Sequence, residues 1–282
     1  MILLDNNQLV IANIFQMKKQ GLDGDPEDLL RHMLLNNYRL YRSKFKKQFG
    51  ELVICHDSPH CWRKTIFPEY KAGRRKNQKE SDVDWKEIHN LMDSVRSDIK
   101  ENLPYKNIKV EGAEADDIIY SLCKEYHQQE EILIVSNDKD FQQLQIFPSV
   151  KQYSPMKKKY LVCENPKQNL INHIIYGDSS DGVPNILSDN DTFVDDTKRQ
   201  KRITTKRLNE AYESYREGRH LEEYPINWCR NETLINLFKV PDKIQEETIE
   251  SFKNIVPASR SGLLNYFIER KLKNLMENIE EF

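Results

Sequence analysis

Two periodicities alternate along the first 180 or so residues of this chain. Short apolar runs at ILL (2–4), ELVICHD (51–57), IKVEG (108–112) and EILIVS (131–136) have the length and continuity of strands buried on both faces. Between them, hydrophobic residues recur every three or four positions, as on one face of an amphipathic helix. Val10, Ile14 and Met17 mark a first helix. PEDLLRHMLLNNYRLYRSKFKKQF (26–49) predicts a second, with Pro26 opening it and Glu27 and Asp28 at the positive end of its dipole. WKEIHNLMDSVRSDIKENL (85–103) and ADDIIYSLCKEY (115–126) predict two more, and VKQYS with KYLVCE, around Lys157–Lys159, a hairpin.

Strands alternating with helices predict an α/β fold: a mostly parallel central sheet with helices on both faces, over residues 1–185. Beyond about 185 the strand signal fades. Residues 188–202 are polar and charged, and 203–282 are helical in pattern with pauses at Pro225, Pro241 and Pro257, which predicts a helical C-terminal domain over 186–282. No apolar run approaches the roughly 20 residues needed to span a bilayer. MILLDNNQLVI has neither a basic leader nor a small-residue cleavage site, so no secretory signal is expected. Five cysteines, an odd number scattered along the chain, predict reduced thiols and a cytoplasmic setting.

Nine carboxylates fall in five clusters where strands or turns should end. They are Asp5, Asp57, then Glu114, Asp116 and Asp117 in EGAEADD, Asp138 and Asp140 in SNDKD, and Asp178 and Asp181 in GDSSD. In open α/β sheets ligands bind outside the carboxyl ends of the strands. Acids converging there repel one another and need neutralising. Oxygen-only ligands favour Mg²⁺ or Mn²⁺ over zinc, and paired carboxylates can hold two ions about 4 Å apart for phosphoryl chemistry. Asp117 adjoins Asp116 on a helix and points away from it, so a supporting role behind the ligands is expected. The zinc-type residues of CHDSPHC (55–61) match no common zinc spacing, and Cys55 and His56 adjoin on a strand, facing opposite ways.

The net charge of −2 argues against a polyanionic partner only as a sum. Setting the nine clustered acids aside leaves +7 on the rest of the chain. WRKTIFPEYKAGRRKNQK (62–79) interleaves Arg63, Lys64, Lys71, Arg74, Arg75 and Lys76 with Trp62, Phe67 and Tyr70. Cations neutralise phosphates and aromatic rings stack on unpaired bases, so this segment predicts nucleic-acid contact beside Asp57. Lys206 and Arg207 belong to a second candidate phosphate-binding surface.

EADD, the paired aspartates of SNDKDFQQL and GDSSDGVP, in that order with FPEYKAGR before and YFIERKLKNLMENIEEF after, make the chain resemble the 5′-nuclease (flap endonuclease) superfamily. Within it the likeness is to the ribonuclease H group of T-even bacteriophages. The resemblance implies a PIN-like 5′-nuclease core with a helical arch at about 60–82, followed by a helical duplex-binding and partner domain. It implies two Mg²⁺ ions, with Mn²⁺ able to substitute. Asp5, Asp57, Glu114, Asp116 and Asp138 would serve one ion, and Asp140, Asp178 and Asp181 the other. Lys71 and Arg74 would act at the scissile phosphate, with Tyr70 stacking on an unpaired base. The implied activity is a 5′→3′ exonuclease and flap endonuclease, a hydrolase removing RNA primers and adjacent DNA in lagging-strand replication. The implied substrates are RNA–DNA hybrid and duplex or flapped DNA. A monomer in an infected host's cytoplasm is expected, with a phage single-stranded-DNA-binding protein as partner of the C-terminal domain. Leu263, Leu264, Phe267, Leu272 and Leu275 suit that contact or, more simply, a core. A non-catalytic binder of branched nucleic acid is the alternative. One departure stands out: GVPNILSDNDTF replaces the family's glycine-rich hairpin after Asp181.

Overall fold

The structure is a computed structural model and describes residues 1–21, 24–74 and 84–282. Six strands, β1 (Ile2–Asp5), β2 (Leu52–His56), β3 (Lys106–Lys109), β4 (Ile132–Val135), β5 (Val150–Ser154) and β6 (Lys159–Leu161), form one sheet in the order β3-β2-β1-β4-β5-β6. The first five are parallel, and β6 returns antiparallel to β5 as the expected hairpin. The apolar runs become strands because both faces are covered. Ile2 and Leu4 enter one core and Leu3 the other, the period-two alternation of a strand.

Helices α1 (Asn6–Gln20), α2 (Pro26–Phe49), α3 (Arg63–Ile66), α4 (Trp85–Asn102) and α5 (Ala115–Tyr126) fill the connections. α1, α2 and α4 cover the face of Ile2 and Leu4, and α5 covers the opposite face. Their starts are written locally. Asp25 accepts from the backbone of Glu27 (2.9 Å) and Asp28 (3.1 Å) ahead of α2, and Asp84 from that of Glu87 (3.0 Å) ahead of α4.

The C-terminal helices are α6 (Pro166–Tyr176), α7 (Thr205–Arg216), α8 (Pro225–Ile235), α9 (Asp242–Asn254) and α10 (Leu263–Glu269). Trp228 gathers α6, α7 and α8 into a cluster of their own with Ile174, Ile175, Ile186 and Ala211. Residues beyond it rejoin the sheet. Leu237, Val240 and Ile244 pack into the α5 face, while Leu263, Phe267, Leu272, Leu275 and Phe282 share a core with Ile2 and Leu4. Of the five apolar positions considered for a partner, Leu264 alone is exposed (49%). The glycine-poor segment after Asp181 is fixed by Arg230, which donates to the carbonyls of Pro184 (2.7 Å), Asn185 (3.1 Å) and Ser188 (3.3 Å). None of the five cysteines is paired, and among the described residues no helix is long and apolar enough to cross a membrane.

Successive connections run from β1 through β2 to β3 on one side, and from β4 through β5 to β6 on the other. The order therefore reverses between β1 and β4. The crevice outside their carboxyl ends is where such sheets place a ligand.

Candidate metal centre

The strand-end acids sit at that reversal. Asp5 closes β1; its Oδ1 accepts from the Gln8 backbone at 3.3 Å, starting α1, and its Oδ2 from Ser136 Oγ at 3.1 Å. Asp57 Oδ1 accepts from Ala115 N at 2.8 Å, which ties the end of β2 to the first residue of α5. Asp138 Oδ1 accepts from Asp140 N at 3.0 Å and opens a 3₁₀ turn over Lys139–Ile146. All these donors are neutral. Burial, then the charges of Asp57 and Asp138, push the Asp5 carboxyl up to about 7. Asp57 is raised too, first by burial, with Glu114 adding to it.

At the start of α5 the acids are matched by cations. Glu114 and Asp117 form a capping box, with Glu114 N donating to Asp117 Oδ2 at 2.9 Å. Glu114 Oε1 lies 2.6 Å from Lys71 Nζ, and its Oε2 accepts from Arg63 Nη1 (3.1 Å) and the Tyr70 hydroxyl (3.0 Å). Asp117 is fully buried, with Arg63 Nη2 at 2.8 Å and Trp62 Nε1 at 3.0 Å. Burial alone would raise Glu114, but Lys71 and Arg63 pull it down to about 2. Asp116 gains less from them; burial and then Glu114 hold it well above the usual carboxylate range.

This arrangement corrects two expectations. Arg63 and Tyr70 are not on a nucleic-acid surface: they are 1% and 2% exposed. Buried Glu114 and Asp117 require donors, and Arg63 and Tyr70 supply them. Phe67 is buried as well, and Trp62 packs against the α5 core, so no ring of this trio stands free to stack on a base. Lys64 is half-buried, while Lys206 and Arg207 are exposed on the first turn of α7. Arg75 and Lys76, with the rest of the expected arch up to residue 82, lie outside the described residues.

Lys71 and Arg74 point inward across the acids. Lys71 has a left-handed backbone (φ 57°), held by its N–H donating to Asp181 O at 2.7 Å. Its ammonium stands between Glu114 and Asp181, 3.5 Å from the latter, and Arg74 pairs with Asp181. Gly182 (φ +73°) permits this approach, since a Cβ there would lie 3.1 Å from Glu69 O.

The GDSSD turn closes the other side. Asp178 and Val183 exchange backbone hydrogen bonds of 2.8 and 2.7 Å. Asp178 Oδ1 accepts from Ser180 N (2.8 Å); its Oδ2 accepts from His173 Nε2 (2.9 Å) and lies 3.1 Å from Lys139 Nζ. Burial opposes ionisation of Asp178, but the His173, Ser180 and Lys139 bonds win and hold it below the usual range. Asp140 goes the other way: burial and then Asp138 push it up to about 7. Asp140 Oδ1 is buried without a hydrogen-bond partner, although His173 Nδ1 is 3.4 Å away. Among the described residues, Asp140, His173 and Asp178 are the one group of possible ligands whose donor atoms all lie within 4.8 Å of one another. His173 is the residue that sequence reasoning missed. Its signal was modest: a histidine in the apolar helix NLINHIIY, about one turn before GDSSD.

The eight expected ligands thus form a coupled series. Asp5 feels Asp57 and Asp138, Asp57 feels Glu114, Asp116 feels Glu114, and Asp140 feels Asp138, Asp178 and Asp181. The raised carboxyls of Asp5, Asp57, Asp116 and Asp140 and a buried oxygen lacking a donor fit divalent cations, and a donor set rich in oxygen fits Mg²⁺ or Mn²⁺. Asp117 is committed to Arg63 and Trp62.

Comparison with known proteins agrees with this architecture. Residues 1–170 match the family described as 5′-3′ exonuclease, N-terminal resolvase-like domain. The chain belongs to the 5′-3′ exonuclease family. Residues 165–282 match the family described as T4 RNase H, C terminal. Among individual members of this nuclease family, ribonuclease H of Enterobacteria phage T4 is 29% identical over 264 residues, covering 90% of this chain and 87% of that protein. Flap endonuclease Xni of Shewanella pealeana is 32% identical over 136 residues, 44% of this chain and 48% of that one. The fold is that of the phage T5 5′-exonuclease determined with divalent zinc, with a TM-score of 0.64 at 15% identity over 90% of this chain and 98% of that one. It is also that of the T5 flap endonuclease determined with DNA and metal ions, with a TM-score of 0.61 at 14% identity over 90% and 99%.

Proposed function

We propose that this 5′-3′ exonuclease family member is a Mg²⁺-dependent 5′→3′ exonuclease and flap endonuclease with ribonuclease H activity. Its substrates would be RNA–DNA hybrid and duplex or flapped DNA, and its work the removal of RNA primers and adjacent DNA from lagging-strand fragments. The observation that carries this reading is the run of coupled carboxylates at the β1/β4 reversal, with Asp5 and Asp140 both raised to about 7 and neither supplied with enough positive charge by the protein. Asp5, Asp57, Glu114, Asp116 and Asp138 would hold one ion and Asp140, Asp178 and Asp181 a second, with Mn²⁺ able to replace Mg²⁺. Ions there supply Lewis acidity, activating water and neutralising phosphate charge.

The chain's own groups do the positioning. Lys71, held by its backbone bond to Asp181, presents an ammonium at the edge of the acids, where a phosphate oxygen can exchange for a carboxylate. Arg74 stands beside it on Asp181. Lys64, Lys206 and Arg207 would meet phosphates farther along the duplex. Residues 1–185 would form the nuclease unit and 186–282 the unit that grips duplex and meets a single-stranded-DNA-binding protein. A cytoplasmic monomer suits such work.

A 5′-labelled nicked duplex bearing a flap with an RNA tip tests the proposal. Wild-type protein in Mg²⁺ should release short 5′ products that EDTA abolishes. Asp138→Asn should cut about a thousandfold or more slowly while still binding duplex. Normal turnover by that variant overturns the assignment of the centre, and no products from wild type overturns the function.

A further inference from the structure

The two ends of the acid series differ in donor chemistry. Around Asp5, Asp57 and Asp138 the candidate ligands are oxygens. Around Asp140 and Asp178 an imidazole stands among them, with both ring nitrogens beside carboxylates and the side chain 14% exposed. A neutral imidazole has one N–H and one lone pair. Nε2 donates to Asp178 Oδ2 at 2.9 Å, which leaves the lone pair on Nδ1. Nδ1 then faces Asp140 Oδ1 at 3.4 Å, and that oxygen is buried and receives no donor. Two acceptors held together out of water are unfavourable unless a proton or a metal cation joins them, and the donor atoms of Asp140, His173 and Asp178 all lie within 4.8 Å of one another, close enough for a metal. Lys139 does not fill the gap, since its ammonium reaches Asp178 Oδ2 at 3.1 Å. A histidine that ligates a metal through one nitrogen usually donates its other N–H to a carboxylate, and the Nε2–Asp178 bond is ready for that part.

We infer that His173, held by its Nε2–H bond to Asp178, joins Asp140 as a ligand of the second cation, and that its nitrogen makes this position favour transition-metal ions such as Mn²⁺ and Co²⁺ over Mg²⁺. Imidazole suits the later first-row metals, whereas Mg²⁺ demands hard oxygen donors and keeps its waters. The oxygen-only position around Asp5 has no such bias. The centre would therefore load unlike ions when both are offered. The inference rests on the proposal that the Asp178 side holds an ion at all.

The test uses the full chain freed of metal, titrated separately with Mg²⁺, Mn²⁺ and Co²⁺, with pulsed EPR of the Mn²⁺-loaded protein. Wild type should show ¹⁴N coupling to a bound Mn²⁺ ion. His173→Asn, whose amide can still donate to Asp178, should lose that coupling, and Co²⁺ should bind it about 10–100-fold more weakly while Mg²⁺ changes by less than about threefold. Absence of nitrogen coupling in wild type, or an equal loss for Mg²⁺ and Co²⁺, overturns the inference. If coupling is absent but Mg²⁺-dependent release of 5′ products persists, the nuclease reading stands and the His173 ligand falls. If no metal binds wild type, both fall.

Discussion

Around Glu114 and around Asp5 the molecule buries the same chemical group in opposite ways. Glu114 has Lys71, Arg63 and the Tyr70 hydroxyl, and its pKa falls to about 2. Asp5 has a backbone N–H and a serine hydroxyl, and its pKa climbs to about 7. The first arrangement is complete in the protein alone. The second is complete only when charge arrives from outside. Position along the chain does not distinguish them, since both acids lie at the mouth of the same sheet. The difference lies in what the neighbouring loop brings: the 62–74 segment carries its cations to Glu114, Asp117 and Asp181 and not to Asp5.

The largest effect should come from the complete end. Arg63→Met strands Glu114 and Asp117 without their guanidinium, and breaking a buried pair in this way costs about 3–5 kcal/mol. Thermal melts should register a drop of roughly 10 °C. A melt within a degree or two of wild type would show that the pairing is not what sustains that end.

Asp5→Asn should move stability the other way. In metal-free protein it removes a carboxyl that ionises reluctantly, so the melting temperature at pH 7.5 should rise by a few degrees, while stabilisation by added Mg²⁺ shrinks. The pH profile gives the sign independently. Between its ordinary value of 3.8 and the folded value of about 7, folded Asp5 holds its proton more tightly than the unfolded chain does. Metal-free wild type should therefore lose stability as pH rises through that window, and Asp5→Asn should lose less. Glu114 contributes with opposite sign: its depressed value stabilises above its ordinary 4.5 and is lost as pH falls toward about 2. Melts in EDTA from pH 4.5 to 8 that match for wild type and Asp5→Asn would erase the contrast.

The smallest effect belongs to residues outside both ends. Lys206→Ala should leave the melt unchanged, because Lys206 is 87% exposed. It should weaken duplex binding at every sequence and lower the salt slope by about one. A sequence-dependent loss would point to base contact instead.

Much of this was legible beforehand, and the rest was hidden for a physical reason. α2, α4 and α5 lie within a residue of their expected limits because each has its own apolar period, and two begin at an aspartate cap. The acid positions were legible because strand ends must face the same edge of a parallel sheet. The fates of Arg63 and Tyr70 were not. Their partners at 114, 117 and 181 are 44 to 111 residues away, and nothing in WRKTIFPEYK marks which side chains turn inward. Tyr38 and Asn6, or His56 and Asn107, are matched over 32 and 51 residues inside the sheet's margins. His173 escaped because a histidine among isoleucines reads as packing until the neighbouring turn folds back on it.

The placement of β1 bears on how this protein comes into being. Its second neighbour, β4, lies some 130 residues later, and the core over Ile2 and Leu4 is closed by Phe267, Leu272 and Phe282. At ribosomal speeds the interval between β1 and those closing residues is on the order of tens of seconds. For that time an apolar strand at the centre of the sheet has no finished shelter, and Asp5 has no Asp138 beside it. A nascent chain thus carries an unsheltered apolar strand until those closing residues emerge.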